Sequence, residues 1–226
     1  TPASTIRQAI TKAYGNLLNR LEGMGLVTLT QTEEEAIAAA AQARADQNGG
    51  DVEVIKAQLR KSVLASDASD IDVKRSADGN LEGFFDPATG KSFLIADNLT
   101  AESAPATLMH EVGIHRAAEG GGKMGAVIER AGGILRIERN NEFVQRVQSR
   151  MDEAGETSNE EAAAYIVTEY EKDRTNAPAS VKQWIKDFIA DVRAWLFSKG
   201  VIIKADQLTV ADIAAVARAN ASRMAR

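Results

Sequence analysis

Lys91-Ser92-Phe93-Leu94-Ile95 runs through Ala96-Asp97-Asn98-Leu99-Thr100 towards Ala106-Thr107-Leu108-Met109-His110-Glu111-Val112-Gly113-Ile114-His115-Arg116. The first five residues read as a strand, and the later run, apolar ahead of His110, reads as a buried helix. Upstream, residues 71–75 and 81–85 are further strands. Asp78-Gly79-Asn80 and Asp86-Pro87-Ala88-Thr89-Gly90 are the turn-forming stretches between the three. Together they predict an antiparallel meander feeding a helix. The fold class is therefore α+β: mainly helical, with a small antiparallel sheet packed on the helix that carries both histidines.

The flanking sequence is helical. Ile6, Ile10, Tyr14, Leu17, Leu18 and Leu21 recur at helical spacing over residues 5–22, and Gly23 and Gly25 stop that helix. Residues 26–30 read as a strand. Thr32 with Glu35 forms a capping box for an alanine-rich helix that ends near Asn48-Gly49-Gly50, and a further helix covers 52–64. Residues 66–70 are a polar break. Gly120-Gly121-Gly122 ends the histidine helix, and residues 127–151 are helical with an interruption at Gly132-Gly133. Another helix opens at 157–161 and runs to 173. Asn176-Ala177-Pro178 is a boundary, and 181–198 is amphipathic. A last helix starts at Thr209-Val210-Ala211-Asp212. The expected organisation is an N-terminal helical region with one strand (1–70), a core with the site (71–175) and C-terminal helices packed on that core (176–226). Trp184 and Trp195 are expected in the core, and Phe84, Phe85 and Phe93 in sheet packing.

Composition narrows the function classes. With 44% hydrophobic and 26% charged residues, the 226-residue chain has an ordinary globular balance and enough length for a real core. The net charge of −5 argues against non-specific nucleic-acid binding, leaving only Arg218, Arg223 and Arg226 as a small basic tail. No cysteine is present, which excludes disulfides, thiolate zinc sites and a cysteine nucleophile. No apolar run is long enough to span a membrane. Thr1-Pro2-Ala3-Ser4 has neither an initiator methionine nor the regions of a signal peptide, and the expectation is a piece of a longer polypeptide.

The chain's two histidines, His110 and His115, flank Glu111 within six residues. A hydrolytic zinc site uses three protein ligands and leaves one position for water. Two imidazoles from one helix can supply two ligands, and a neighbouring glutamate can take the water's proton. The usual His-Glu-x-x-His spacing is i, i+4. Here it is i, i+5, which turns the second ring about 140° from the first on a regular helix. A π-bulge, or loosening at Gly113, would restore a common face, so a local distortion is expected between Val112 and His115. The plain alternative is two ordinary polar residues near a helix end. With no further histidine or cysteine, the third ligand has to be a carboxylate. Glu161 is first choice and Glu160 second, ahead of Glu119, Glu129 and Glu142. Thr157-x-x-Glu160 and Ser158-x-x-Glu161 are both capping boxes as well, and with Thr157 as the cap Glu161 would be free. Tyr165, one turn after Glu161, could donate to an oxyanion or simply pack.

This pattern resembles the zincin metallopeptidases. A closer likeness is to the zincin-like peptidase domains embedded in large polyvalent proteins of phages and integrative elements. The likeness rests on Gly83-Phe84-Phe85-Asp86-Pro87 with Gly90-Lys91, on 108–115, on Glu160-Glu161-Ala162-Ala163-Ala164-Tyr165, and on 208–213. It implies Zn2+ held by His110, His115 and Glu161, with Glu111 as base. It also implies an edge strand at 91–96 along the cleft, on which a substrate adds as a further strand. The expected function is a zinc-dependent peptidase of a phage or mobile-element polyprotein. Its partners would be a protein or peptide substrate and the rest of the parent polypeptide, with no membrane and no nucleic acid for this domain. Its location would be the virion, or the host cytoplasm after delivery. The competing expectation is an inactive structural or protein-binding module on the same fold.

Overall fold

The computed structural model describes residues 1–64, 71–76, 78–118, 122–155, 157–209, 212–217 and 219. It is an α+β fold, dominated by helices, with one four-stranded sheet among the described residues. The chain divides into two compact units, Thr1–Glu111 and Val112–Arg226.

The first unit opens with helices α1 (Ala3–Tyr14) and α2 (Leu17–Gly23). The periodicity predicts one continuous helix there. Gly15, at φ 61°, breaks it instead, a conformation that suits a residue without a side chain. Strand β1 (Val27–Thr30) follows, then α3 (Glu33–Asn48) and α4 (Val52–Leu64). Thr32 and Glu35 make the expected capping box, and Gly49 ends α3 at φ 75°. Strands β2 (Asp72–Arg75), β3 (Leu81–Asp86) and β4 (Lys91–Ile95) form the predicted meander.

The sheet is mixed, not purely antiparallel, because β1 adds to β4 in parallel and gives the order β1-β4-β3-β2. Strand β4 is therefore an inner strand, and the free edge expected at 91–96 does not exist. Strands β1 and β2 are the edges. The burial of β4 on both faces fits its nearly unbroken apolar sequence.

One face of the sheet packs on α3 and α4, through Phe84, Phe93 and Ile95 against Ile37, Ala40, Leu59 and Val63. Phe84 and Phe93 stack with centroids 5.2 Å apart. At one end of this face Asp86, fully buried, accepts two hydrogen bonds from the Arg44 guanidinium at 2.7 and 2.9 Å. The same carboxylate accepts from Ala88 N and Thr89 Oγ1, which fixes the turn after β3.

Helix α5 (Ser103–Ala118) begins in the first unit and ends in the second. The second unit continues with α6 (Gly122–Ile137), α7 (Glu142–Ala154), α8 (Asn159–Lys172) and α9 (Ala179–Ser198), and residues 212–217 are again helical. Helix α6 runs straight through Gly132-Gly133, the expected site of an interruption; the break falls at 138–141. A Cβ on Gly132 would stand 1.8 Å from Asn159 Oδ1, so this glycine serves a close approach of α8 rather than a helix end. Trp184 and Trp195 are buried as expected, and Trp184 Nε1 donates to Val127 O at 2.6 Å. Among the described residues no helix is long and apolar enough to cross a membrane. The break at 66–70, the glycines at 120 and 121, and Arg218, Arg223 and Arg226 lie outside the described residues.

Candidate functional site

The second face of the sheet, against the first half of α5, is lined by polar groups. Opposite Lys74 and Arg75 of β2, strand β3 presents Gly83 and Leu81, which leaves Glu82 as an extra, bulged residue. Glu82 accepts from Thr107 Oγ1 of α5 at 3.3 Å and pairs with Lys74 Nζ at 3.4 Å. On β4, the Ser92 hydroxyl donates to Glu111 Oε2. Asp72, Glu82, Ser92, Thr107 and Glu111 are each at most 6% exposed. A seam carrying three carboxyl groups interrupts the apolar packing that a helix on a sheet normally makes, and unpaired buried charge is costly.

Glu111 is the centre of this seam. It is fully buried, and its Oε1 has no hydrogen-bond partner among the described residues. Burial pushes its carboxyl up from the ordinary 4.5 to about 8. The Ser92 hydroxyl opposes that rise, the charge of Asp72 adds to it, and Lys74 counters it. At neutral pH most Glu111 side chains therefore hold a proton.

The remaining predicted residues are placed as follows. His110 is half-buried and His115 is buried, both on α5. Helix α5 is regular α-helix from Ser103 to Ala118, without the distortion expected between Val112 and His115. Gly113 does not loosen it. A Cβ there would stand 2.7 Å from Val216 O and 2.9 Å from Ala219 Cβ, so the residue is needed for a close backbone approach. At 100° per residue, the two histidines leave the axis about 140° apart, and His115 lies only about 40° from Glu111.

Glu161 is half-buried in the first turn of α8, where its N–H donates to Ser158 Oγ at 3.1 Å. Ser158 is thus the cap of α8, in place of Thr157. Tyr165 follows one turn later, its ring under the Arg150 guanidinium at 5.5 Å. Glu129 and Glu142 are exposed, while Glu119 and the side chain of Glu160 lie outside the described residues.

The donors have the right chemistry for zinc, but no group of three His, Asp or Glu among the described residues is gathered so that it could hold a metal ion. As placed, these residues do not fit a three-ligand zinc centre. What the fold does assemble is Glu111 with Ser92, Asp72 and Glu82. The sequence signal for Ser92 is strand alternation, which sets Ser92 and Leu94 on one face of β4 and Phe93 and Ile95 on the other. The bulge that exposes Glu82 to α5 leaves no local sequence mark.

A second concave feature, of about 510 Å³, lies on α7 and α8 between Gln145, Arg146, Arg150 and Glu169. Its charged groups are already paired: Glu169 bridges both arginines at 2.6 and 3.5 Å, and Arg146 also reaches Asp173 at 2.7 Å. Comparisons with protein-family models, curated proteins and solved structures found no match to this chain.

Proposed function

We propose that this chain is a peptidase module of the zincin-like kind, with Glu111 as the group that exchanges a proton with the substrate. One observation carries the reading: a glutamate beside His110 is sealed from solvent, with one oxygen bonded to Ser92 and the other unpartnered. Strongly shifted buried carboxyls concentrate at sites of proton transfer, and a carboxyl protonated at neutral pH suits the acid half of peptide-bond cleavage. The substrate is a protein or peptide: the parent polypeptide, a virion protein or a host protein. A substrate strand would add at one of the true edges, β1 or β2, and β2 carries Asp72 and Lys74 of the seam. The working compartment in this reading is the virion or the host cytoplasm.

The test measures two things on the same protein. Zinc content is compared for wild type, His110→Ala, His115→Ala and Glu161→Ala, and cleavage of labelled casein for wild type and Glu111→Gln. Cleavage lost in Glu111→Gln is the expected result, and zinc lost in the three ligand variants would show that His110, His115 and Glu161 gather on a metal as the resemblance implies, which their placement here does not. Equal zinc in all four proteins would refute the ligand assignment. Unchanged cleavage in Glu111→Gln would refute the role of that residue.

The regular course of α5, with no three-donor group among the described residues, favours a second reading: a metal-free, protein-binding module on the same fold. Absence of both zinc and cleavage in the wild type is its expected result.

A further inference from the structure

Ser92 belongs to an inner strand paired on both sides, opposite Val27 of β1 and Phe85 of β3. Two ladders therefore fix its backbone, and its hydroxyl is fully buried against Glu111 Oε2. Diagonally across on β3, opposite Leu94, stands Gly83. A Cβ there would come within 2.8 Å of Phe93 O and 3.7 Å of Glu111 Oε1. The strand pair thus presents one donor to the Glu111 carboxyl, with Oε2 held by Ser92 and Oε1 in ordinary contact distance of the Gly83 position, without a hydrogen-bond partner among the described residues.

We propose that Ser92 is the positioning residue of Glu111, fixing the rotation of its carboxyl so that Oε1 is the oxygen left to exchange a proton. The helix supplies the carboxyl, and the sheet aims it. This rests on the reading of Glu111 as the proton-exchanging group. A carboxyl free to rotate loses the alignment that makes proton transfer efficient, and a misplacement of about 1 Å costs on the order of a hundredfold in rate. Ser92 itself touches no reacting atom.

The experiment uses the whole chain, labelled with 13C at glutamate Cδ, in wild type, Ser92→Ala, Ser92→Thr and Thr107→Val. The Glu111 resonance is assigned by its loss in Glu111→Gln. Ser92→Ala should shift that resonance and lower kcat on labelled casein about tenfold to a hundredfold with KM within about twofold. Ser92→Thr, which keeps the hydroxyl, should restore both. Thr107→Val removes a neighbouring buried hydrogen bond to Glu82 and should leave the resonance in place. An unmoved resonance in Ser92→Ala overturns the proposal whatever the activity. An equal shift in Thr107→Val also overturns it, because the effect would then be general loosening of the seam. A wild type that cuts no casein, while Ser92→Ala still moves the resonance, refutes the peptidase reading but supports the hold of Ser92 on Glu111.

Discussion

Replacing Glu111 by glutamine should change how stability depends on pH. In the folded chain the Glu111 carboxyl releases its proton at about 8, whereas in the unfolded chain it does so near its ordinary value of 4.5. Between those two values the folded state binds more protons than the unfolded one, so wild-type stability falls as pH rises through that window. The contribution is complete below about 4.5 and lost above about 8. At about 1.4 kcal/mol per pH unit, the whole window amounts to about 5 kcal/mol, of which about 3 has gone by pH 7. The substituted amide has nearly the same shape as the carboxyl, can still accept from Ser92, and does not titrate. Glu111→Gln should therefore gain on the wild type by several kcal/mol as pH rises from about 5 to 8. Urea denaturation followed by circular dichroism, with a chelator present, measures the gap at each pH, and equal slopes show that the same surface unfolds. A gap that stays constant from pH 5 to 8 would refute the buried, protonated carboxyl.

Two glycines of similar helical setting should respond in opposite directions. Gly113→Ala forces a Cβ to 2.7 Å from Val216 O and should cost about 2 kcal/mol or more. Gly133→Ala meets nothing within 4 Å and should gain up to about 1 kcal/mol from helix propensity. Thermal melts of both decide the point, and loss of stability in both would count against it. Arg44→Ala strands the fully buried Asp86 without its cation and should cost about 3 kcal/mol or more. Double substitution with Asp86→Asn should recover part of that loss, and no recovery would mean that Arg44 acts through packing alone.

The local elements were legible because their signals are local. Thr32 with Glu35 marks the start of α3, and Asp86 to Gly90 marks the turn between β3 and β4. The broad apolar face around Trp184 marks α9. The pairing of β1 with β4 was not legible, since Val27 and Ser92 carry no mutual mark across the intervening helices. Glycines misled in both directions. Gly15 breaks a helix where periodicity ran on, while Gly132 and Gly113 sit in unbroken helices because another segment comes close. At the site, the sequence points to Glu111 as a base through the two histidines that flank it. The sheet gives it Ser92 instead, and only three-dimensional pairing brings those two residues together.

The parallel contact of β1 with β4 has a practical consequence for dissecting the chain. A fragment beginning at residue 71 looks complete from the meander alone, yet it would strip the covering strand from β4, together with the helices α3 and α4 that cover one face of the sheet. The amide of Ser92, which now donates to Leu26 O at 2.8 Å, would face water along with the rest of that side of the strand. A bare, apolar strand margin recruits other copies of itself. Such a shortened protein should precipitate or form soluble aggregates, whereas one that retains Leu26 to Thr30 should stay dispersed.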